Sequence, residues 1–282
     1  MHVLVAGAGW LGSSLARALS GSGHRVTAVR RDPGRAAALT SPEVNWLALD
    51  LAGAGAAEKL PRDLDAVIAC QSAGAGGPEA YRRAYVECTR TLLEALRGAG
   101  RPSVLLYTGS TGVFGQRDGS DVDEESRPAP ASAAAEVLVE AEGLVLGAAR
   151  EDGIRSMVLR LSGLYGPGRT WPVDRVRSGQ IALGPGDQAW LNLCHLDDAV
   201  SAVLAGIERG AAGSVYHASD AEPVRRSDLV RWVSSRLRIA PPHLPPEARP
   251  PSLPDRRIRA ERTRAALGLE LRYPTYREGL AL

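Results

Sequence analysis

Lysine is nearly absent from this 282-residue sequence. Lysine and arginine together number 34, and only Lys59 is a lysine, so arginine supplies almost every positive charge. Aspartate and glutamate number 32, which leaves a formal net charge of only +2. Because the basic residues are scattered rather than gathered on one stripe, the sequence lacks the electrostatic footprint of a nucleic-acid-binding protein. We expect no nucleic-acid partner.

Cysteines and long apolar runs are also scarce. Cys70, Cys88 and Cys194 lie far apart, with neither a paired disulfide framework nor the spacing of a zinc site. This usage predicts no metal centre and a protein of the reducing cytoplasm. No apolar run is long enough to span a membrane. The first residues lack the basic leader of a signal peptide and predict a buried strand instead.

Short apolar runs alternate with helical patterns along most of the chain. This alternation is typical of buried parallel strands that are joined by crossover helices. It predicts an α/β fold with a Rossmann-type doubly wound parallel sheet. The predicted strands are Val3–Ala6, Arg25–Val29, Val44–Leu49, Ala66–Ala69, Val104–Tyr107 and Ser156–Leu161.

A glycine loop follows the first predicted strand and opens a predicted helix. Its sequence has the form Gly-x-Gly-x-x-Gly, which is a weak motif alone and a strong one in this context. The first glycine allows a tight turn, the second lets a pyrophosphate approach, and the third lets the helix pack on the sheet. We therefore predict dinucleotide binding. The predicted contacts are Gly7, Gly9, Trp10, Leu11 and Gly12.

The end of the second strand bears on the choice between NAD(H) and NADP(H). Sites that prefer NAD place a carboxylate there to hold the ribose 2′-hydroxyl, whereas this chain has Arg30 and Arg31. Guanidinium groups suit a 2′-phosphate, so the pair favours NADP(H). NAD(H) stays the alternative, since Asp32 could reach the ribose. Asp50 and Leu51, after the third strand, are further predicted cofactor contacts.

The second half of the chain is less regular. The pattern changes after Gly166-Pro167-Gly168, and residues 240–254 are rich in proline, which disfavours helix interiors and central strands. We predict a dinucleotide-binding Rossmann domain over residues 1–165, to which residues 190–218 return. Residues 166–189 and 219–282 are predicted to form a smaller, substrate-binding C-terminal lobe.

Several segments downstream of the glycine loop carry a family resemblance. Together and in this order, they make the chain similar to the extended short-chain dehydrogenase/reductase family, the NAD-dependent epimerase/dehydratase group. The ending of the chain is similar to that of a compact, atypical branch. The segments are Tyr107–Gly115, Arg160–Arg169, Asn192–Ala199, Val215–Asp220 and Tyr273–Leu280.

The resemblance implies an NAD(P)-dependent oxidoreductase or an epimerase/dehydratase-like enzyme. Its substrate would be a small polar metabolite, such as a nucleotide sugar or a biosynthetic intermediate. Relatives often pair through the helices around Tyr85 and Ala134, so a homodimer is expected.

The family's proton-transfer pair is missing. Relatives with redox chemistry carry Tyr-x-x-x-Lys on one helix, where the lysine lowers the tyrosine pKa. Alignment puts Ala134 at the tyrosine position and Leu138 at the lysine position. No shift restores the pair, because no tyrosine lies between Tyr107 and Tyr165 and Lys59 precedes the fourth strand.

Other polar residues are candidates for the chemistry. Ser110, with Thr111 beside it, occupies the family's serine position and could orient a substrate or simply bond to backbone. Arg169 and Trp171 could bind an anionic or ring-bearing substrate, and Tyr85 could line the same cleft, although core packing explains Tyr85 better.

A second polar group surrounds His195. Next to Asp197 and Asp198 it could suggest a proton relay or a metal site. The stronger interpretation is structural: an aspartate caps the start of a helix and the histidine packs below it.

Three functions are consistent with these residues. The first is an NADP(H)-dependent enzyme with a non-standard active site. The second is a non-redox lyase, cyclase or isomerase on the same scaffold, which the missing pair favours. The third is a cofactor-sensing or regulatory protein without turnover.

Overall fold

A computed structural model of the chain describes residues 1–32, 43–74, 76–98, 104–245 and 254–280. The core of the proline-rich segment, 246–253, lies outside the described residues. Contacts divide the chain into two compact units. One comprises Met1–Val113, Pro130–Arg160 and Val200–Tyr216, and the other Phe114–Ala129, Leu161–Ala199 and His217–Leu282. The assignment of cofactor and substrate roles to two domains stays a prediction.

The strands of the described residues follow the predicted runs and add short ones in the second half. They are β1 (His2–Ala6), β2 (Arg25–Arg30), β3 (Val44–Ala48), β4 (Ala66–Ala69), β5 (Val104–Ser110), β6 (Arg117–Val122), β7 (Arg155–Leu161), β8 (Gly163–Tyr165), β9 (Trp190–Leu191), β10 (Leu193–His195), β11 (Val215–Ala218), β12 (Val224–Arg225) and β13 (Asp255–Ile258).

Helices alternate with these strands, as the apolar periodicity predicts. They are α1 (Trp10–Gly21), α2 (Pro78–Tyr81), α3 (Cys88–Gly98), α4 (Ala133–Glu151), α5 (Trp171–Arg177), α6 (Leu196–Arg209), α7 (Arg226–Leu237), α8 (Glu261–Leu267) and α9 (Tyr276–Gly279). A π-helical turn, Arg82–Glu87, joins α2 to α3. Within the described ranges, no helix is both long and apolar enough to cross a membrane.

Seven strands form one sheet in the order β11-β7-β5-β4-β1-β2-β3. The pairs of β1 with β2 and β4, of β2 with β3 and of β4 with β5 are all parallel. The chain runs outward from β1 to β3 on one side and from β4 to β11 on the other, so the order reverses between β1 and β4. Ligands of doubly wound sheets bind at this reversal. The predicted Rossmann-type fold is confirmed.

The central strands are buried on both faces, which explains their continuous apolar sequence. All five residues of β1 and all four of β4 are buried. One face packs against α3 and α4, where Leu92, Leu96 and Val145 contribute to a continuous core with the sheet. This packing holds the strand ends at fixed positions, and the loops that follow the strands begin from those positions.

The second unit has an apolar core of its own. Val173 and Val176 of α5 pack with Leu229 and Val233 of α7, and Tyr276 joins the same cluster. Three two-stranded sheets, β8 with β10, β9 with β12 and β6 with β13, frame this core.

A buried ion pair links α4 to β7 in the first unit. Arg160 Nη2 donates to Glu142 Oε2 at 2.8 Å, and its Nε lies 3.1 Å from Oε1. Both side chains are less than 5% exposed. The pair also abuts β5, because a Cβ added to Gly109 would lie 2.9 Å from Glu142 Oε1. Gly109 therefore makes room for the carboxylate beside the strand that ends in Ser110.

Removing Glu142 should destabilise the protein strongly, because the Arg160 guanidinium would stay buried without its carboxylate. We expect Glu142→Ala to lower the free energy of unfolding in urea by about 3–5 kcal/mol. Asp152→Ala, which breaks the exposed pair with Arg97, is the matched control and should cost less than about 1 kcal/mol. Similar losses of unfolding free energy in both variants would show that the buried pair contributes no more to stability than the exposed pair does.

Candidate functional site

The glycine loop after β1 adopts the tight turn that its sequence predicts. Gly7 has φ +93°, a conformation that favours glycine. Its N–H and that of Ala8 donate to Val29 O at 3.2 and 2.9 Å, which ties the loop to the end of β2. A Cβ on Gly12 would lie 2.4 Å from Gly7 O, so only glycine lets α1 start this close to the loop.

The N-terminus of α1 is open. Gly9 is the N-cap residue, no side chain caps the helix, and its first turn carries no acidic residue. A Cβ on Gly9 would meet only Gly7 O, at 4.0 Å, so open space lies in front of this residue. Backbone amides at a helix N-terminus, with no carboxylate near them, bind phosphate oxygens well.

A cavity of about 390 Å³ lies beside the loop, at the carboxyl ends of the strands. It brings together six of the predicted cofactor residues: Gly7, Gly9, Arg30, Arg31, Asp50 and Leu51. Trp10, Leu11 and Gly12 form the first turn of α1 and are not among its lining residues. The volume is that of a small-molecule pocket.

Charged groups gather at one end of this cavity. Arg30 Nη1 donates to Ala8 O at 3.2 Å, and Arg31 is exposed at the rim. Asp50 pairs with Arg83 of the π-helical turn, Nη2 to Oδ2 at 2.5 Å. Burial opposes ionisation of Asp50, but the hydrogen bonds from Arg83 and Ala52 N and the charges of Arg83 and Arg31 together outweigh it. The pKa of this carboxyl therefore lies below its ordinary value. The carboxylate is thus ionised and partly neutralised by Arg83.

Several lining residues were not predicted as cofactor contacts, among them Cys70, Gln71, Arg83 and Cys88. Cys70 and Gln71 follow β4 directly, so their position at a strand end was visible in the sequence. Arg83 lies in the π-helical turn and Cys88 begins α3, and no sequence pattern marked either residue. Burial raises the pKa of Cys70 to about 12 and that of Cys88 to about 11, so both thiols stay protonated.

Ser110 and Thr111, the predicted catalytic residues, end β5 and begin the next turn. Ser110 Oγ accepts a hydrogen bond from Gly112 N at 3.0 Å. The hydroxyl proton of Ser110 can still be donated, since accepting a bond does not use it. Thr111 is buried. The backbone bond expected for Ser110 is present, and a catalytic role for either residue stays a prediction.

Tyr85 lies in the π-helical turn rather than in a regular helix. Its ring lies 5.3 Å from that of Tyr81, and it packs against the core of the first unit. Burial raises the pKa of its phenol, and hydrogen bonds with Ser72 and Ala73 oppose this. Its predicted contact with substrate stays a prediction.

The two predicted substrate residues of the second unit have different surroundings. Arg169 is exposed, and its backbone pairs with that of Gly166. Trp171 packs against the apolar core of this unit, and its Nε1 donates to Leu164 O at 2.8 Å. The indole N–H is therefore already used within the protein. Substrate binding by either residue stays a prediction.

His195 is packed rather than poised for proton transfer. Its ring lies 3.7 Å from that of Tyr273 and 5.3 Å from that of Tyr165. Its Nδ1 accepts from Asp197 N at 3.2 Å, and burial lowers the pKa of the ring. Among the described residues, no group of three metal-ligating side chains converges anywhere.

The sequence suggested that an aspartate at this position caps the start of the helix. Asp198 instead bonds to a distant segment of the chain. Its two oxygens accept from Arg272 N at 2.8 Å and Tyr273 N at 3.0 Å. Asp220 lies in the same unit, 3.2 Å from the hydroxyl of Tyr165, and is 4% exposed. Asp198 thereby ties the segment of Arg272 and Tyr273 to the start of α6, and Asp220 accepts from the hydroxyl of Tyr165.

Comparison with known proteins identifies the family. The model of the NAD dependent epimerase/dehydratase family matches residues 3–219. The chain belongs to this family. The curated 3-diazoavenalumate denitrifying reductase of a Streptomyces species is 31% identical, over 99% of each chain. The family membership predicted from the motifs is confirmed.

Solved structures agree with this family in fold. MoeE5, in complex with UDP-glucuronic acid and NAD, matches with a TM-score of 0.82 at 25% identity, over 100% of this chain and 97% of its own. UDP-glucuronic acid 4-epimerase from Bacillus cereus, in complex with NAD, matches with a TM-score of 0.84 at 19% identity, over 99% and 96%. The chain is related to NAD-dependent epimerases and reductases.

The two positions that the sequence alignment assigns to the family's tyrosine and lysine both lie on α4. Ser132 caps it through Ala135 N, and Ala134 and Leu138 lie in its first two turns. Ala134 is half-buried and Leu138 is buried. Lys59, the one lysine of the sequence, is exposed in the 3-10 turn Ala57–Lys59 before β4. An assignment of these positions to the family's catalytic pair stays a prediction.

Asp220 should make stability depend on pH. Burial raises its pKa from 3.8 to about 8 in the folded protein. Between these values the folded chain holds a proton that the unfolded chain releases, so stability falls as pH rises from about 4 to about 8. Asp220→Asn does not titrate, and its stability relative to the parent protein should increase between pH 5 and pH 8.

Thermal unfolding at both pH values measures this difference. Asp118→Asn is the control, because hydrogen bonding with Ser120 lowers the pKa of the exposed Asp118 and keeps it ionised over the whole range. Its difference from the parent protein should be constant. An Asp220→Asn difference that is also constant would contradict burial as the cause.

Proposed function

We propose that this protein is an NADP(H)-dependent reductase of a small polar metabolite and works without the family's tyrosine–lysine pair. The observation that carries the proposal is the cavity lined by Gly7, Gly9, Arg30 and Arg31. When bound, the reduced nicotinamide supplies a hydride. The residues of this chain bind and orient the dinucleotide, and the proton is not provided by a tyrosine on α4.

The preference for NADP(H) rests on the two arginines at the end of β2. Arg83 is paired with Asp50, whereas Arg31 lies exposed at the rim and Arg30 donates to the backbone carbonyl of Ala8 in the glycine loop. Two guanidinium groups next to the adenosine side can bind a 2′-phosphate. Asp32 also lines the cavity and is a carboxylate competitor for a ribose hydroxyl.

The missing pair limits the reactions that the site supports. Serine is a poor general acid without a base beside it, and Ser110 Oγ already accepts from Gly112 N. Glu142 is held by Arg160 in a buried ion pair. Hydride transfer to an acceptor that needs no proton from the protein is consistent with these constraints.

The Streptomyces relative suggests an acceptor of this kind. Its name describes a reductase that removes nitrogen from a diazo compound, and it matches this chain over its whole length. A hydride that reaches a diazonium carbon forms a C–H bond as N₂ leaves with the C–N electron pair, and no proton is consumed. We propose that this chain reduces an electrophile of this class.

Deuterium labelling tests this reaction. The protein is incubated with 4-carboxybenzenediazonium and NADPH that carries deuterium at C4. We expect one NADPH oxidised, one N₂ released and one deuterium incorporated for each product molecule, at a rate above that of the reaction without protein. Absence of hydride transfer to diazonium and ketone acceptors alike would overturn the reductase. Turnover by protein stripped of nucleotide would support the non-redox alternative.

Replacement of both arginines tests the cofactor preference. We expect Arg30→Ala/Arg31→Ala to weaken NADPH binding by tenfold or more, since charge-assisted bonds are worth about 1.5–3 kcal/mol each. NADH binding should change much less. Isothermal titration calorimetry measures both affinities. Arg17→Ala, on the exposed face of α1, is the control. Equal weakening of NADPH and NADH would refute binding of the 2′-phosphate.

Two further expectations stay predictions. The homodimer would form through the helices around Tyr85 and Ala134, and sedimentation analysis measures the oligomeric state directly. The cytoplasmic location rests on cysteine usage alone.

A further inference from the structure

Gln71 lies where β4 meets the glycine loop. It follows β4 after one residue, and a Cβ on Gly7 would lie 2.4 Å from both N and Cα of Gln71. The Gln71 backbone is therefore pressed against the turn that begins the cofactor pocket. The residue lines the same cavity as Gly7 and Gly9.

The side-chain amide of Gln71 is buried at both ends without a partner. Neither Nε2 nor Oε1 makes a hydrogen bond within the described part of the chain, although both are shielded from solvent. An unpaired buried polar group destabilises a protein by about 1–3 kcal/mol. Proteins therefore seldom leave both ends of an amide unpaired away from a functional site.

Neighbouring polar groups are already engaged with the backbone. Cys70 Sγ lies 3.3 Å from Gly7 O, and Ser72 Oγ accepts from Gly74 N at 3.3 Å. The two residues that flank Gln71 thus stabilise the loops on either side of it. The amide of this cavity-lining residue is left with two N–H donors and one carbonyl acceptor.

Sheet order indicates which half of the dinucleotide Gln71 would meet. Arg30 ends β2 and Asp50 follows β3, and both strands lie on one side of β1. Gln71 follows β4, on the other side of β1. A dinucleotide that crosses the reversal point places its two halves on opposite sides of β1. Since the arginines hold the adenosine half, Gln71 lies on the nicotinamide side.

We propose that Gln71 is a cofactor-positioning residue, whose side-chain amide hydrogen-bonds the nicotinamide half of the dinucleotide. This inference rests on the proposed cofactor. An amide can donate to a pyrophosphate oxygen or pair with a ribose hydroxyl. A carboxylate at the same position only accepts and repels the pyrophosphate.

The test compares a whole cofactor with its adenosine half. Calorimetric Kd values are measured for NADPH and for adenosine 2′,5′-bisphosphate, which lacks the nicotinamide half. Gln71→Ala should weaken NADPH about tenfold, which corresponds to the loss of about 1.4 kcal/mol of hydrogen bonding. Its affinity for the bisphosphate should stay within twofold. Gln71→Glu should weaken NADPH further, and Gln180→Ala, at an exposed glutamine, should change neither.

Stability of the free protein separates positioning from a structural role. Gln71→Ala removes an unpaired buried amide, so its melting temperature should equal or exceed that of the parent protein. Unchanged NADPH affinity in Gln71→Ala would overturn the inference, as would equal weakening of both ligands together with a lower melting temperature. A parent protein that binds neither ligand would overturn the proposed cofactor instead.

Discussion

Close backbone approach at Gly7 is the constraint on which the cofactor pocket depends. Gly7 N and Ala8 N bond to Val29 O at the end of β2, Gln71 packs against Gly7 from the end of β4, and α1 begins against Gly7 O. Three strand ends and one helix therefore meet within a few residues. A side chain at Gly7 or Gly12 would force them apart, and the amides at the start of α1 would no longer face the cavity.

In the first unit, the residues that pack α4 against the sheet differ from those at the predicted tyrosine and lysine positions. α4 retains Glu142, buried against Arg160 and beside Gly109, and so holds its position next to the strand that ends in Ser110. About one and two turns earlier the helix carries Leu138 and Ala134, which offer no proton. Packing and proton transfer are thus separable on one helix, because they use different residues of it. Membership of the fold therefore does not by itself fix which reactions the protein supports.

Much of the fold followed from periodicity. The six predicted runs became β1 to β5 and β7 with shifts of a few residues at their ends, since buried parallel strands have a continuous apolar signal. The short strands β8 to β10 and β12 were harder to predict, because two- and three-residue strands have no period to detect. Asp198 shows a second kind of failure. Its place at a helix start suggested a cap, but its partners are amides 74 and 75 residues away.

The sequence by itself determined the family, the glycine loop, the arginines after β2 and the absence of a tyrosine between Tyr107 and Tyr165, because each is a matter of residue identity at a local position. Only the tertiary structure decided that Arg83 neutralises Asp50 and that the Trp171 N–H donates to Leu164 O. It alone also showed that both ends of the Gln71 amide are buried without a partner among the described residues. Those facts depend on distances between segments that lie far apart in sequence, and no local pattern encodes them.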